Sequence, residues 1–374
     1  MPSVLFSPFA LRGLTLANRV VVSPMCEYSA AEGCATDWHV IHLGHLALSG
    51  AGLLIIEATA VSPEGRISRE CLGLYSDDNG AALARVLSIV RRYSPVPVGI
   101  QLNHAGRKGS QRKPGDGRGN VPEGDGGWQT VGPSPLPFVA EWQTPTELDR
   151  AGMEKIIEDF VRATERSARL GLDLIEIHSA HGYLLSSFLS RLANRREDAW
   201  GGNRENRMRF PLEVFAAVRR AWPSTRPLGV RCNGTDWDER GIGPDDAVAY
   251  ARALQELGCD YVDVSSGGNS MAAIPLEPGY QVPFAARVRN EVGIATMAVG
   301  LLRDPHHAES IVAGGQADLI AIGRGILNDP RWPWHAAEDL GGTVHVPLQY
   351  ARAATREGIH QHFALRTGTP QPEA

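Results

Sequence analysis

Residues 153–183 read MEKIIEDFVRATERSARLGLDLIEIHSAHGY. An amphipathic stretch over 153–170 stops at Gly171, where helices commonly end. A short apolar run, 174–178, then leads into a polar exit that holds His178, His181 and Tyr183. Runs of the same kind, rich in Val, Ile and Leu, recur at 19–23, 53–59, 98–103, 228–232, 261–265, 296–300 and 319–323. They are continuous rather than alternating, which is the pattern of parallel strands covered on both faces. Further amphipathic stretches lie between them at 207–221, 245–257 and 305–313, and Gly258 and Gly314 follow the last two. Eight such runs predict a closed (β/α)8 barrel, with its functional residues at the C-terminal ends of the strands.

The chain of 374 residues would suggest two or three domains by length, but this barrel routinely takes that many as one unit. Residues 1–340 are therefore expected to form the barrel, and 341–374 a tail outside it that docks on a neighbouring subunit. One segment, 106–148, breaks the rhythm after the third strand. It is rich in Gly, Pro and charge and carries Trp128 and Trp142, so it is expected to be a lid over the catalytic rim.

Composition narrows the function. With 43% hydrophobic and 21% charged residues and a formal net charge of -5, the chain has a sizeable core and no basic run for nucleic acid or an anionic surface. No apolar stretch approaches the roughly 20 residues of a membrane helix, and the N-terminus lacks a leader pattern. A small-molecule substrate and a cytoplasmic setting are expected. The five cysteines, Cys26, Cys34, Cys71, Cys232 and Cys259, form no C-x-x-C pair, and none follows Cys259 to build a four-cysteine iron–sulfur cluster.

The strand exits carry the chemistry. His178 and His181, three residues apart, converge on one point if the segment begins a helical turn. A third ligand at zinc-like spacing is missing, so no metal is expected. The pair is better suited to donate N–H groups to an oxygen on which negative charge builds. Tyr183 is either a proton donor or a wall aromatic; its phenol is protonated at neutral pH. Gly300, Gly323 and Arg324 end the seventh and eighth strands, where this fold usually holds phosphate. Gln101 on strand three and Arg231 on strand five supply an amide and a cation, which together suit the pyrimidine edge of an isoalloxazine ring. No G-x-G-x-x-G follows any strand, so a nicotinamide dinucleotide has no site of its own and must visit the flavin face.

These segments resemble the old yellow enzyme flavoproteins, and within them the bacterial xenobiotic reductases and thermophilic-type ene-reductases. The likeness runs from about Phe6 to Pro333. It is carried by Ser23-Pro24-Met25-Cys26-Glu27-Tyr28, by the seven residues from Gln101 to Arg107, by His178 to Leu189, by Trp200 to Arg207, and by Gly323-Arg324. The resemblance implies FMN held by Ser23, Pro24, Cys26, Ala58, Gln101, Arg231, Gly300, Gly323 and Arg324, with NADPH or NADH as reductant. It implies that His178 and His181 grip the substrate's activating oxygen and that Tyr183 delivers the proton, with Cys26 and Tyr28 on the substrate side. The segment Gln349-Tyr350-Ala351-Arg352 is similar to a family tail that reaches a neighbour's active site, so Arg352 is a candidate finger in a homodimer or homotetramer. Departures are Trp200-Gly-Gly-Asn-Arg-Glu-Asn-Arg, which alters a helix start, and Val299, where some relatives carry an aromatic.

The activity so implied is NAD(P)H-dependent reduction of an activated C=C bond in an α,β-unsaturated carbonyl or nitro compound. Three alternatives stand beside it. They are a dienoyl-CoA reductase-like flavoenzyme, a metal-dependent barrel hydrolase using His178 and His181, and a flavin-binding protein without turnover.

Overall fold

The computed structural model describes residues 2–350, 352 and 363–365. Eight strands close a barrel: β1 (Val20–Val22), β2 (Leu53–Ala60), β3 (Val98–Asn103), β4 (Leu174–Ser179), β5 (Leu228–Asn233), β6 (Tyr261–Ser265), β7 (Ala295–Ala298) and β8 (Leu319–Ile322). Neighbouring strands pair in parallel all the way round, and β8 returns to β1. All eight expected runs are barrel strands, with ends shifted by a residue or two. The seventh and eighth stop short of their glycines, and Gly300 sits at φ +133°, outside strand geometry.

Ten helices are described: α1 (Asp37–Ala47), α2 (Asp77–Tyr93), α3 (Arg150–Arg169), α4 (Leu184–Leu189), α5 (Arg204–Ala221), α6 (Pro244–Glu256), α7 (Val282–Val292), α8 (Pro305–Ala313), α9 (Arg324–Asn328) and α10 (Trp332–Leu340). Helices α3 and α5 begin before their apolar periodicity does, because caps carry the first turn. Asp149 accepts from the Gly152 N–H at 2.7 Å, and Asn203 from the Asn206 N–H at 2.8 Å. Gly171 and Gly258 are left-handed at their helix ends; after α8 the left-handed residue is Gly315 rather than Gly314.

Two cores follow from this layering. The larger lies between the strands' outer faces and the helices. The smaller fills the barrel's lower interior with Val21, Leu53, Ile55, Leu174, Met297 and Leu319. An N-terminal hairpin, Phe9–Leu11 with Leu14–Leu16, plugs that end by adding Leu11 and Leu16 to the same cluster. Arg12 fastens the plug, donating to Asp260 at 2.7 Å and to the Ser224 and Gly258 carbonyls. Above this apolar floor the interior turns polar, and the site begins there.

Segment 106–148 is folded. Val131–Gly132 pairs with Thr146–Glu147, and the Trp128 indole donates to the Glu64 carbonyl at 2.9 Å. Its main fastening is Arg107, 2% exposed, which donates to the carbonyls of Leu136, Pro137 and Asn269 and so ties the segment to the loop after β6. Beyond α10, Val344–Val346 pairs with Phe363–Leu365 outside the barrel sheet. Residues 351, 353–362 and 366–374 of the expected tail lie outside the described residues. No described helix is long and apolar enough to cross a membrane.

Candidate active site

The exit of β4 makes a tight left-handed turn that depends on the glycine after His181. His181 adopts φ 59° and Gly182 φ 73°. A Cβ on Gly182 would lie 1.9 Å from the Gly268 carbonyl oxygen, so the close approach of the two loops requires glycine. Asn233, at the end of β5, accepts from the His181 N–H at 3.0 Å and donates to the Gly267 carbonyl at 2.7 Å. The turn then starts α4, with Tyr183 at its N-cap.

This geometry fixes the tautomer of His178. The Ala180 N–H points at His178 Nδ1 at 3.3 Å, so His178 carries its proton on Nε2. That nitrogen lies 3.3 Å from His181 Nδ1, and His181 Nε2 lies 2.7 Å from Ser265 Oγ. Burial, and after it the charge of Arg231, holds both imidazoles well below the usual histidine range, so both are neutral at pH 7. Ser265 also reaches Gln281 Oε1 at 3.3 Å. If its hydroxyl turns to donate to His181 Nε2, His181 Nδ1–H and His178 Nε2–H both become donors toward one oxygen.

Tyr183 packs against His178, ring centroids 5.0 Å apart, in a cluster with Cys26, Tyr28, Cys71, Ile67 and Ala105. Burial pushes its phenol well above the usual tyrosine range, followed by the nearby Cys26 and Tyr28, so the hydroxyl keeps its proton. The Cys26 thiol is likewise raised well above its ordinary value by burial and then by Cys71, which makes it a neutral wall rather than a nucleophile. A bulge in β2 at Glu57 builds this side: Ala58 lies opposite Gln101, while Glu57 turns outward, accepts the Glu27 N–H at 3.1 Å and faces His39 Nε2 at 3.4 Å.

On the other side of His181 a cavity of about 290 Å³ runs along the strand ends, lined by Ser23, Pro24, Arg231, Gly300, Gly323 and Arg324. Val299 lines it too. The expected residues thus fall into two facing groups. Cys26, Tyr28 and Tyr183 stand on one side, the cavity set on the other, with His178 and His181 between them. Gln101 and Arg231 rise from the barrel interior beneath. Arg352 is exposed, in the tail beyond the barrel.

Reading the strand exits missed several residues. Ser265 ends β6 and obeyed the same rule as His178, yet a serine there gave no chemical signal by itself. Arg303, which lines the cavity beside Arg324, sits one loop turn past β7. Lys108 was hidden in the 106–148 segment: its ammonium donates to the His181 carbonyl at 2.7 Å and lies 5.2 Å from the Tyr183 ring. Burial, then Arg107, pushes it down to about 7.

The donor set fits FMN. Neither Arg303 nor Arg324 has a side-chain hydrogen bond or ion pair among the described residues, and both stand at the glycine end, where a phosphate would lie. Arg231 Nε is buried without a well-aligned acceptor. The two imidazoles face each other and Ser265, and among the described residues no group of three or more His, Cys, Asp or Glu could hold a metal ion.

A (β/α)8 barrel with an anion end beside β7 and β8, and an amide and a guanidinium beneath, defines the class of flavin-binding oxidoreductases. Comparison with known proteins agrees. The chain matches the NADH:flavin oxidoreductase / NADH oxidase family over residues 4–341 and belongs to it. It is 44% identical over 354 residues to an NADPH dehydrogenase of Geobacillus thermodenitrificans, covering 94% of this chain and 99% of that one. Morphinone reductase superposes with a TM-score of 0.75 at 28% identity, covering 90% of each chain. A 2-naphthoyl-CoA reductase shares the fold, with a TM-score of 0.81 at 23% identity over 90% of this chain; this chain spans 52% of that larger one. The protein is a flavin oxidoreductase of the old yellow enzyme kind, with FMN as cofactor and a nicotinamide dinucleotide as reductant.

Proposed function

We propose that this protein is an ene-reductase, which reduces the activated C=C bond of an α,β-unsaturated carbonyl or nitro compound at the expense of NAD(P)H. The observation that carries this reading is the pair His178 Nε2 and His181 Nδ1, 3.3 Å apart, beside the protonated phenol of Tyr183. A carbonyl or nitro oxygen placed within hydrogen-bond reach of both nitrogens receives two N–H groups, which stabilise the charge that gathers there as the β-carbon is reduced. Neutral imidazole suffices, because only an N–H donor is needed. Tyr183 gives its proton to the α-carbon and regains one from water.

The redox chemistry, hydride transfer from the nicotinamide to the β-carbon, would be supplied by FMN when it is bound. Ser23, Pro24, Cys26, Ala58, Gln101, Arg231, Gly300, Gly323 and Arg324 would hold it, and Cys26 and Tyr28 would shape the substrate side. The 106–148 segment, fastened by Arg107, is the lid that excludes water. The reading extends to a homodimer or homotetramer in which Arg352 docks on the neighbouring subunit, and to the cytoplasm, in keeping with five free thiols.

Isotope tracing tests it. With cyclohexenone and NADPH deuterated at the transferred position of C4, the saturated ketone should carry deuterium at the β-carbon and a solvent proton at the α-carbon. Oxidation of NADPH with the enone recovered intact would refute the proposal.

A further inference from the structure

Beneath the amide and guanidinium assigned to the flavin edge lies a buried acidic layer that the proposed chemistry has not used. Gln101 and Glu176 are register partners on β3 and β4, and the Gln101 amide donates to Glu176 Oε1 at 2.8 Å. Tyr261 on β6 donates from its phenol to Glu176 Oε2 at 3.1 Å. The sequence makes room for that contact at Gly229, the register partner of both residues, where a Cβ would lie 2.1 Å from the Tyr261 ring. One pair further along, Arg231 and Asp263 are register partners with Nε and Oδ2 3.1 Å apart. Glu176 and Asp263 are both 0% exposed. Two buried carboxylates therefore share one guanidinium, and full ionisation would leave the interior one positive charge short.

We propose that Glu176 is a positioning residue that takes up a proton when the flavin is reduced, offsetting the negative charge gained at the ring edge above Gln101 and Arg231. The proposal rests on the FMN reading given above. Reduction by the nicotinamide would deliver two electrons and one proton to the ring and leave one negative charge at its pyrimidine edge; wherever Glu176 is ionised before reduction, a second proton, from water, goes to its carboxylate, so the buried layer and ring together keep their net charge.

Glu176 is the member able to do this, because Asp263 is the direct partner of Arg231 while Glu176 has only neutral hydrogen-bond donors. The titratable and charged groups that face it are Arg231 from β5 and Tyr261 and Asp263 from β6, with Cys232 behind them on the outer face of β5; β3 presents the neutral Gln101. Burial, then Asp263, pushes the Glu176 carboxyl up to about 8, while the Cys232 thiol is pushed up to about 12 and the Tyr261 phenol well above its ordinary value, so neither competes.

The test is a potentiometric titration of the FMN-loaded full chain and of Glu176→Gln, from about pH 7 to about pH 10. The amide keeps an acceptor for Gln101 but cannot ionise. Wild type should pass from one proton per two electrons below about pH 8 to two above it, and the variant should stay at one throughout. A single shared slope across the range would overturn the proposal. If the variant does not fold, infrared difference spectra of wild type at about pH 9 decide instead: reduction should add a carboxylic-acid carbonyl band that shifts in heavy water, and its absence overturns the proposal. A chain that takes up no FMN overturns the underlying reading, a failure told apart by the missing flavin spectrum.

Discussion

Replacing Tyr183 with Phe removes one oxygen and leaves the fold untouched, which makes it the sharpest perturbation of the site. The phenol makes no hydrogen bond among the described residues, so its loss strands no buried partner, and stability should change by no more than about 0.5 kcal/mol. Catalysis should change far more. A positioned general acid contributes roughly 10²–10⁴-fold, which at 1.36 kcal/mol per tenfold is about 3–5 kcal/mol of barrier. Burial keeps the phenol protonated, so wild type should show no tyrosine limb in its rate profile up to about pH 10. Stopped-flow mixing separates the half-reactions: flavin reduction by NADPH should be nearly unchanged in Tyr183→Phe, and reoxidation by cyclohexenone should slow by the factor above. Equal slowing of both steps would refute the assignment of the proton to Tyr183.

Changing both His178 and His181 to Ala should leave FMN bound while phenol and enone affinity collapses, read by spectral titration; full enone turnover in the double variant would dismiss the oxygen grip. Arg107→Met strands three carbonyls, two of them at long range, 3.4 and 3.3 Å, so a loss of about 2–4 kcal/mol is expected in urea unfolding. An unchanged midpoint would mean that Arg107 does not hold the 106–148 segment. For Lys108 the sign follows from linkage. The folded group releases its proton at about 7, while the unfolded chain keeps one to the ordinary lysine range near ~10.4, so the unfolded state binds more protons between these values. Wild-type stability should therefore rise with pH across that window, and Lys108→Met should lack the rise.

The barrel was legible because continuous apolar runs bounded by glycine encode parallel strands without reference to distant contacts. Helix starts were less legible, since Asp149 and Asn203 act through single cap bonds that periodicity does not register. The site divides the same way. His178, His181 and Arg324 announced themselves as polar residues at strand exits. Ser265, Lys108 and Arg303 did not, because their meaning lies in what the closed barrel brings beside them. Glu176 is the extreme case: within an apolar run its carboxyl reads as an outward or anomalous residue, and only the register against Gln101 and the space left by Gly229 show why it is buried.

The visible spectrum of the purified protein bears most directly on the account. A yellow solution should bleach when NADPH is added without air and regain its flavin bands on addition of cyclohexenone. Bleaching that the enone does not reverse, or a colourless chain that takes up no FMN, would contradict it.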